Sequence, residues 1–398
     1  MSLSDSTDSA ESRPAIISCD GHASGRPSDY APYIEAAYRE RYDEFVAVLE
    51  QRRISMEAAR DADKSLFSKQ GSDAFNDEVG DGRDGEWNSD VRTRVLDGEG
   101  VVAEVLFPNP GVPFGAFGES AQHELRGVGN RAYDRWLLDF ASDLPGRRAA
   151  LAMLAVHDID AAVAEIEWAA ASGMKGVIIP TVPGEGLAPY VDDRYDPIWA
   201  ACQATSLPVH LHSGGGTPEY GNYGVASMML YATETTFFGR RPFWWLLWGG
   251  VFERFPELRL VITEARADWV PDTLKLLDGI YSAKFFSHAR TTLKSTPSEY
   301  WARQCTVAAS FMGPDESALR YKIGVDNMMW GADYPHIEGT WPRTRKSLAR
   351  CFRGIAIDET ERMLSSNPAK IYGFDLEMLQ AVADRIGGPT YEELVGAV

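Results

Sequence analysis

The chain has 398 residues, 44% hydrophobic and 24% charged, which is apolar material for a large core and excludes disorder, collagen and coiled coil. Lys and Arg number 39 against 58 for Asp and Glu, and the resulting charge of −19 repels phosphate backbones and anionic lipid headgroups, so no nucleic-acid or membrane partner is expected. The longest apolar run, Phe243 to Phe252, is far short of the roughly 20 residues of a membrane span, and the opening MSLSDSTDSAESRP has neither a basic nor an apolar leader region; a cytoplasmic protein is expected.

After a polar tail over 1–13, PAIISCD (14–20) reads as a short buried strand. A long acidic and polar stretch, 23–98, follows it as an insertion. VVAEVLFPN (101–109), AALAMLAV (149–156) and GVIIP (176–180) read as further strands, and the pattern at 158–173 reads as a helix that Asp158 caps and Gly173 stops. PVHLH (208–212) is the fifth strand. It leads into a second insertion, 213–250, whose Tyr220, Tyr223, Met228, Met229, Tyr231, Phe237, Phe238, Phe243, Trp244 and Trp245 suit the wall of an apolar pocket, although packing of the insertion itself explains most of them. LRLVITE (258–264), a helical pattern over 268–281, QCTVAAS (304–310) and NMMWGAD (327–333) complete eight strand and helix units. No GxGxxG follows the first strand, so the alternation predicts one (β/α)₈ TIM barrel over 14–373 rather than an open doubly wound sheet. Residues 374–398 read as a C-terminal helical extension.

Cys19, Cys202, Cys305 and Cys351 lie far apart without a CxxC pair, so neither a disulfide framework nor a thiolate zinc site is expected. Carboxylates and imidazoles carry the signal instead. Strand alternation puts Asp20 and His22 of CDGH on one face, and His210 and His212 of VHLH on another. With Glu264 ending the sixth strand and Asp333 the eighth, ligand-type residues ring the mouth where barrel enzymes build their sites. Each alone is more simply a core histidine or a cap; four strand ends together point to a metal. Glu104, inside VVAEVLF, needs a compensating partner, either a metal or a buried Arg. His336 stands at the rim in WGADYPHIEGTWP. His123, His157 and His288 lack such company and read as surface or helix residues.

These motifs, CDGH, GVVAEVLFPN, PVHLH with its glycines, FPELRLVITEARADWVP, WGADYP and SSNPAKIYGFD, resemble the amidohydrolase-2 family over 14–375, whose barrels include decarboxylases related to aminocarboxymuconate-semialdehyde and resorcylate decarboxylases. The resemblance implies that Asp20, His22, His212 and Asp333 hold one metal. It departs at the sixth strand, where those decarboxylases present a proton-transferring histidine and this chain has Glu264. Adding Glu104, His210, Glu264 and His336 makes four carboxylates and four imidazoles, enough for two iron ions. The chain is also similar to amidohydrolase-fold non-heme diiron monooxygenases of platensimycin-type diterpenoid biosynthesis. That likeness implies a homo-oligomeric natural-product oxidoreductase, which uses O₂ and an electron donor to hydroxylate a C–H bond of a terpenoid-like small molecule. The alternative is a zinc- or manganese-dependent decarboxylase or hydrolase with one ion, in which Glu264 or His336 is the catalytic acid-base.

Overall fold

The computed structural model describes residues 12–61, 69–109, 111–115, 123–218, 220–221 and 223–396. Most of the expected tail, 1–11, lies outside the described residues. Eight strands form one sheet in the order of the chain: β1 (Ile17–His22), β2 (Ala103–Phe107), β3 (Arg148–Met153), β4 (Gly176–Ile178), β5 (Val209–His212), β6 (Leu260–Thr263), β7 (Cys305–Ser310) and β8 (Met328–Gly331). Every neighbouring pair is parallel. The ends meet, since Asp333 N donates to Asp20 O at 2.9 Å and His22 N to Tyr334 O at 2.7 Å. The result is a (β/α)₈ barrel, whose strands are buried on both faces along their length.

The described helices that bear on the site are α1 (Arg39–Asp61), α2 (Lys69–Val79), α3 (Ser89–Glu99), α4 (His123–Ser142), α5 (Ile159–Ala171), α6 (Val225–Arg240), α7 (Val270–Ser282) and α8 (Leu376–Ile386). The first three belong to the insertion after β1. Helix α5 starts as its sequence dictates, with Asp158 Oδ1 accepting from Ala161 N at 3.0 Å, and the chain turns off through Gly173 at φ 85°. Helix α8 packs Leu379 and Ala383 against Ala15, Ile17, Val102 and Ala103, so the C-terminal extension covers the end of the barrel where β1 and β2 begin. No helix among the described residues is long and apolar enough to cross a membrane.

Strand ends differ from the sequence expectation in ways that matter for the site. The first strand runs two residues further than predicted, so His22 belongs to it, and its register against β2 shifts between Ser18 and Gly21. β6 and β8 stop short because Glu264 and Asp333 take φ values of 54° and 56°, where a strand cannot continue. In the second insertion Tyr223, Met229, Tyr231 and Phe237 face solvent, Tyr223 being 76% exposed, whereas Phe243 is fully buried in the core.

Candidate metal centre

At the mouth of the barrel, β1 contributes Asp20 and His22, β5 contributes His212, and the turn after β8 contributes Asp333; Asp20 and Asp333 are wholly buried. His22 Nε2 lies 3.2 Å from Asp333 Oδ1 and 3.6 Å from Asp20 Oδ1, and His212 Nε2 lies 3.4 Å from Asp20 Oδ1. Both imidazoles are oriented from behind. His22 Nδ1 donates to Pro108 O at 2.8 Å and His212 Nδ1 to Ser213 O at 2.9 Å, which turns each Nε2 lone pair into the cluster, as metal-binding histidines are held. Asp20 is steadied by the Ser310 hydroxyl, which donates to Oδ2.

The chemistry of this donor set fits a divalent cation. His22 Nε2 and both Asp333 carboxylate oxygens are buried without a hydrogen-bond partner, a state that costs roughly 1–3 kcal/mol per group unless something else satisfies it. Imidazole and carboxylate donors suit zinc, manganese or iron. Two overlapping groups, Asp20 with His22 and His212, and His22 with Asp333 and His336, each bring their ligand atoms within 4.8 Å of one another.

A third group extends the cluster outward through Glu264, Asp333, His336 and Glu338. Glu338 carried no signal in the sequence, because it lies on the loop beyond WGADYPH rather than at a strand end. Glu264 Oε2 lies 3.3 Å from His212 Nδ1, on the side of the ring away from the Asp20 contact. His336 Nε2 meets Asn109 Oδ1 at 2.8 Å, whereas Nδ1 lies 2.8 Å from Asp333 Oδ1 without hydrogen-bond geometry and is itself buried without a partner.

Charges in the cluster shift one another. Burial raises the Glu264 carboxyl to about 8, aided by Asp333 and Asp20 and opposed by His212. Burial alone would lower His212, but the Glu264 and Asp20 carboxylates outweigh it and hold the imidazole at about 9. His336 is likewise depressed by burial and carried back up, to about 9, by Asp333. Burial opposes the charged form of Asp333, yet the close His22 and His336 imidazoles bring it down to about 2.

Two residues expected in the cluster lie outside it. Glu104 meets the Arg92 guanidinium in a bidentate pair, with both N···O distances at 2.6 Å and both side chains buried. The compensating partner is thus an arginine from α3, and Arg92 Nη1 also donates to His22 O at 2.7 Å, so the pair braces the backbone at His22. Gly21 permits this, since a Cβ there would come within 3.0 Å of Glu104 Oε2 and 3.1 Å of Arg92 Nη2. His210 sits one pleat repeat, about 7 Å, deeper than His212. Its Nδ1 donates to Val177 O and its Nε2 accepts from the Tyr372 hydroxyl, both at 3.1 Å, and burial lowers it to about 4, leaving a neutral ring with no spare lone pair. Of the remaining histidines, His157 is half-buried after β3 and His288 is exposed.

Among curated proteins no sequence matches this chain. Solved structures do. A 5-carboxyvanillate decarboxylase from Sphingomonas paucimobilis is 21% identical over 90% of this chain and 99% of its own, with a TM-score of 0.61. An amidohydrolase from Mycobacterium avium subsp. paratuberculosis K-10 is 18% identical over 92% and 99%, at 0.68. A dihydroxybenzoic acid decarboxylase from Polaromonas sp. JS666, solved with manganese and 2-nitroresorcinol, is 14% identical over 90% and 96%, at 0.63. Such identities speak to the fold, which they share from end to end. The amidohydrolase family model itself matches residues 17–374, from the first strand through the helices that follow the last one as far as Tyr372, and the chain therefore belongs to the amidohydrolase family.

Proposed function

We propose that this protein is a metal-dependent lyase or hydrolase that holds one manganese or zinc ion through Asp20, His22, His212 and Asp333, and that it decarboxylates a small carboxylic acid. The observation that carries the reading is the set of buried, unpartnered lone pairs on His22 and Asp333, converging with Asp20 and the oriented His212 at the barrel mouth. Relatives described as decarboxylases of hydroxylated benzoates, two of them solved with manganese, support it.

When bound, such an ion supplies Lewis-acid polarisation of a substrate oxygen. The chain's own residues supply the rest. His22 and His212 are fixed by carbonyls behind them and need no rearrangement to bind. In a decarboxylation the C–C bond breaks, CO₂ leaves, and the electron pair left on carbon takes a proton. Glu264 and His336 are the titratable groups at the rim that can deliver it.

The oxygenase expectation rested on eight ligands for two irons. Glu104 and His210 are engaged elsewhere, which removes one carboxylate and one imidazole from that count. A second ion would rely on Glu264, on Glu338, which is exposed, and on a His336 whose Nε2 is engaged by Asn109. The deciding experiment is metal analysis joined to an anaerobic assay. About one manganese or zinc per chain, with CO₂ or a hydrolysed product formed without O₂, is the expected result. Two irons per chain with turnover that needs O₂ and reductant would restore the oxygenase.

A further inference from the structure

The chain just past β2 holds two imidazoles by their outer edges. Pro108 O accepts from His22 Nδ1, and Oδ1 of the next residue, Asn109, accepts from His336 Nε2, each at 2.8 Å. The two rings stack, with centroids 4.1 Å apart and planes 28° from parallel. Their inner nitrogens, His22 Nε2 and His336 Nδ1, are buried without a hydrogen-bond partner among the described residues and lie 3.2 and 2.8 Å from one oxygen, Asp333 Oδ1. Donors about 2.1 Å from one ion and at right angles to each other stand roughly 3 Å apart, so these are the separations of co-ligands.

Which His336 nitrogen faces inward is decided at Asn109. An amide offers either its oxygen or its nitrogen, and the hydrogen-bond network selects between them. Glu86, in the insertion after β1, makes the selection: its carboxylate accepts from Asn109 Nδ2, which leaves Oδ1 for His336. An amide oxygen only accepts, so Nε2 carries a proton in the neutral ring as in the charged one, and Nδ1 is the position where a cation can replace a proton. Ser24 fastens the arrangement. Its nitrogen donates to Glu86 O at 3.0 Å and its Oγ accepts from Asn109 N at 2.9 Å, with Ser24 and Asn109 both buried.

We propose that Asn109, aligned by Glu86, is a positioning residue that presents His336 Nδ1 to the metal centre as a fifth protein donor beside Asp20, His22, His212 and Asp333. The proposal rests on the metal-dependent reading and deepens it. Five protein donors exceed a tetrahedral zinc shell but leave one position of six-coordinate manganese open for a substrate oxygen. A His336 bound to the ion is no longer free to deliver a proton, and that task falls to Glu264.

The test joins manganese affinity, measured by competition with a chelator, to cadmium-113 and nitrogen-15 spectra of histidine-labelled protein loaded with cadmium as a diamagnetic stand-in. In the parent, cadmium should couple to three imidazoles, and His336→Leu should abolish one coupling, the one carried by an Nδ1. Asn109→Leu removes the acceptor and should weaken manganese binding by about tenfold or more, as His336→Leu does, and the two together should cost no more than His336→Leu alone. Glu86→Gln combined with Asn109→Asp reverses the bond between those residues yet keeps an acceptor for Nε2, and this pair should bind manganese within about threefold of the parent. If Asn109→Leu fails to fold, His336→Leu and the reversed pair carry the test. Manganese affinity indifferent to His336→Leu, cadmium coupled to His336 Nε2 or to two imidazoles only, or a folded reversed pair that binds as weakly as His336→Leu would each overturn the positioning role and leave a four-donor centre standing. A parent that takes up neither manganese nor cadmium would overturn the metal-dependent reading, and this donor with it.

Discussion

At the scale of single residues, the pair Arg92 and Glu104 shows how a ligand-type side chain is claimed by structure. Removing the guanidinium leaves the buried Glu104 carboxylate with only Arg148 Nε, 3.7 Å away and without a hydrogen bond, so Arg92→Met should destabilise the protein by about 3 kcal/mol, whereas Arg92→Met combined with Glu104→Leu should recover part of the loss. Denaturant unfolding measures both, and metal content per folded chain should stay unchanged in the double variant. Metal lost with stability intact would return Glu104 to the ligand set. Asp134 makes a separate case on α4, away from the mouth. Burial holds its carboxyl well above the usual range, with the Glu165 charge adding to the effect, while Oδ1 accepts from Met153 N at 2.9 Å. The native state therefore keeps a proton that the unfolded chain releases near pH 4, and stability from this group is present below that pH and lost as pH rises toward the raised native value. Asp134→Asn carries no such proton. Its melting temperature should be at least that of the parent at pH 8 and should fall less steeply between pH 5 and 8; a variant that tracks the parent's pH profile would show Asp134 ionised in the fold.

At the scale of elements, the barrel was legible in the sequence because parallel strands buried on both faces read as apolar runs, and because turn and cap residues such as Asp158 and Gly173 sit where the helix needs them. That Asp20, His22, His212 and Asp333 meet at the ends of β1, β5 and β8 was legible from strand alternation and from the family motifs. Depth and distant partners were not. His210 and His212 share a face by alternation, and only Tyr372, 162 residues away, reveals that His210 is spoken for. Strand ends failed where Glu264 and Asp333 leave the extended region, a strain of order 1–3 kcal/mol each that aims both side chains at the mouth. The seam between β8 and β1 depends on close approach, because a Cβ on Gly331 would come within 2.6 Å of Asp20 Cβ and 3.1 Å of its backbone nitrogen. Gly331→Ala should therefore cost about 1–3 kcal/mol and weaken metal affinity by displacing Asp20, as titration of chelated protein with manganese would register. Destabilisation with unaltered manganese affinity would mean that β1 shifts without moving its carboxylate.

At the scale of the whole molecule, the barrel gathers Asp20, Asp333, Glu264 and Glu338 at one end of a chain that already carries −19. A cation bound among them stabilises the fold twice, by mass action and by relieving repulsion between like charges. Mass action alone gives about 2.7 kcal/mol at a hundredfold excess over Kd, and each kcal/mol moves the melting temperature of a domain of this size by about 1 °C. Chelation should accordingly lower the melting temperature by a few degrees, and restored manganese or zinc should return it. Salt separates the two contributions. Since ions screen the carboxylates that the metal otherwise neutralises, raising ionic strength should stabilise the chelated protein more than the loaded one. His22→Ala, which deletes a metal-facing nitrogen, should melt at the same temperature with and without added manganese. A parent protein whose melting temperature ignores both chelation and salt would mean that the lone pairs at the barrel mouth are satisfied without a cation, and the proposed metal centre would fall with them.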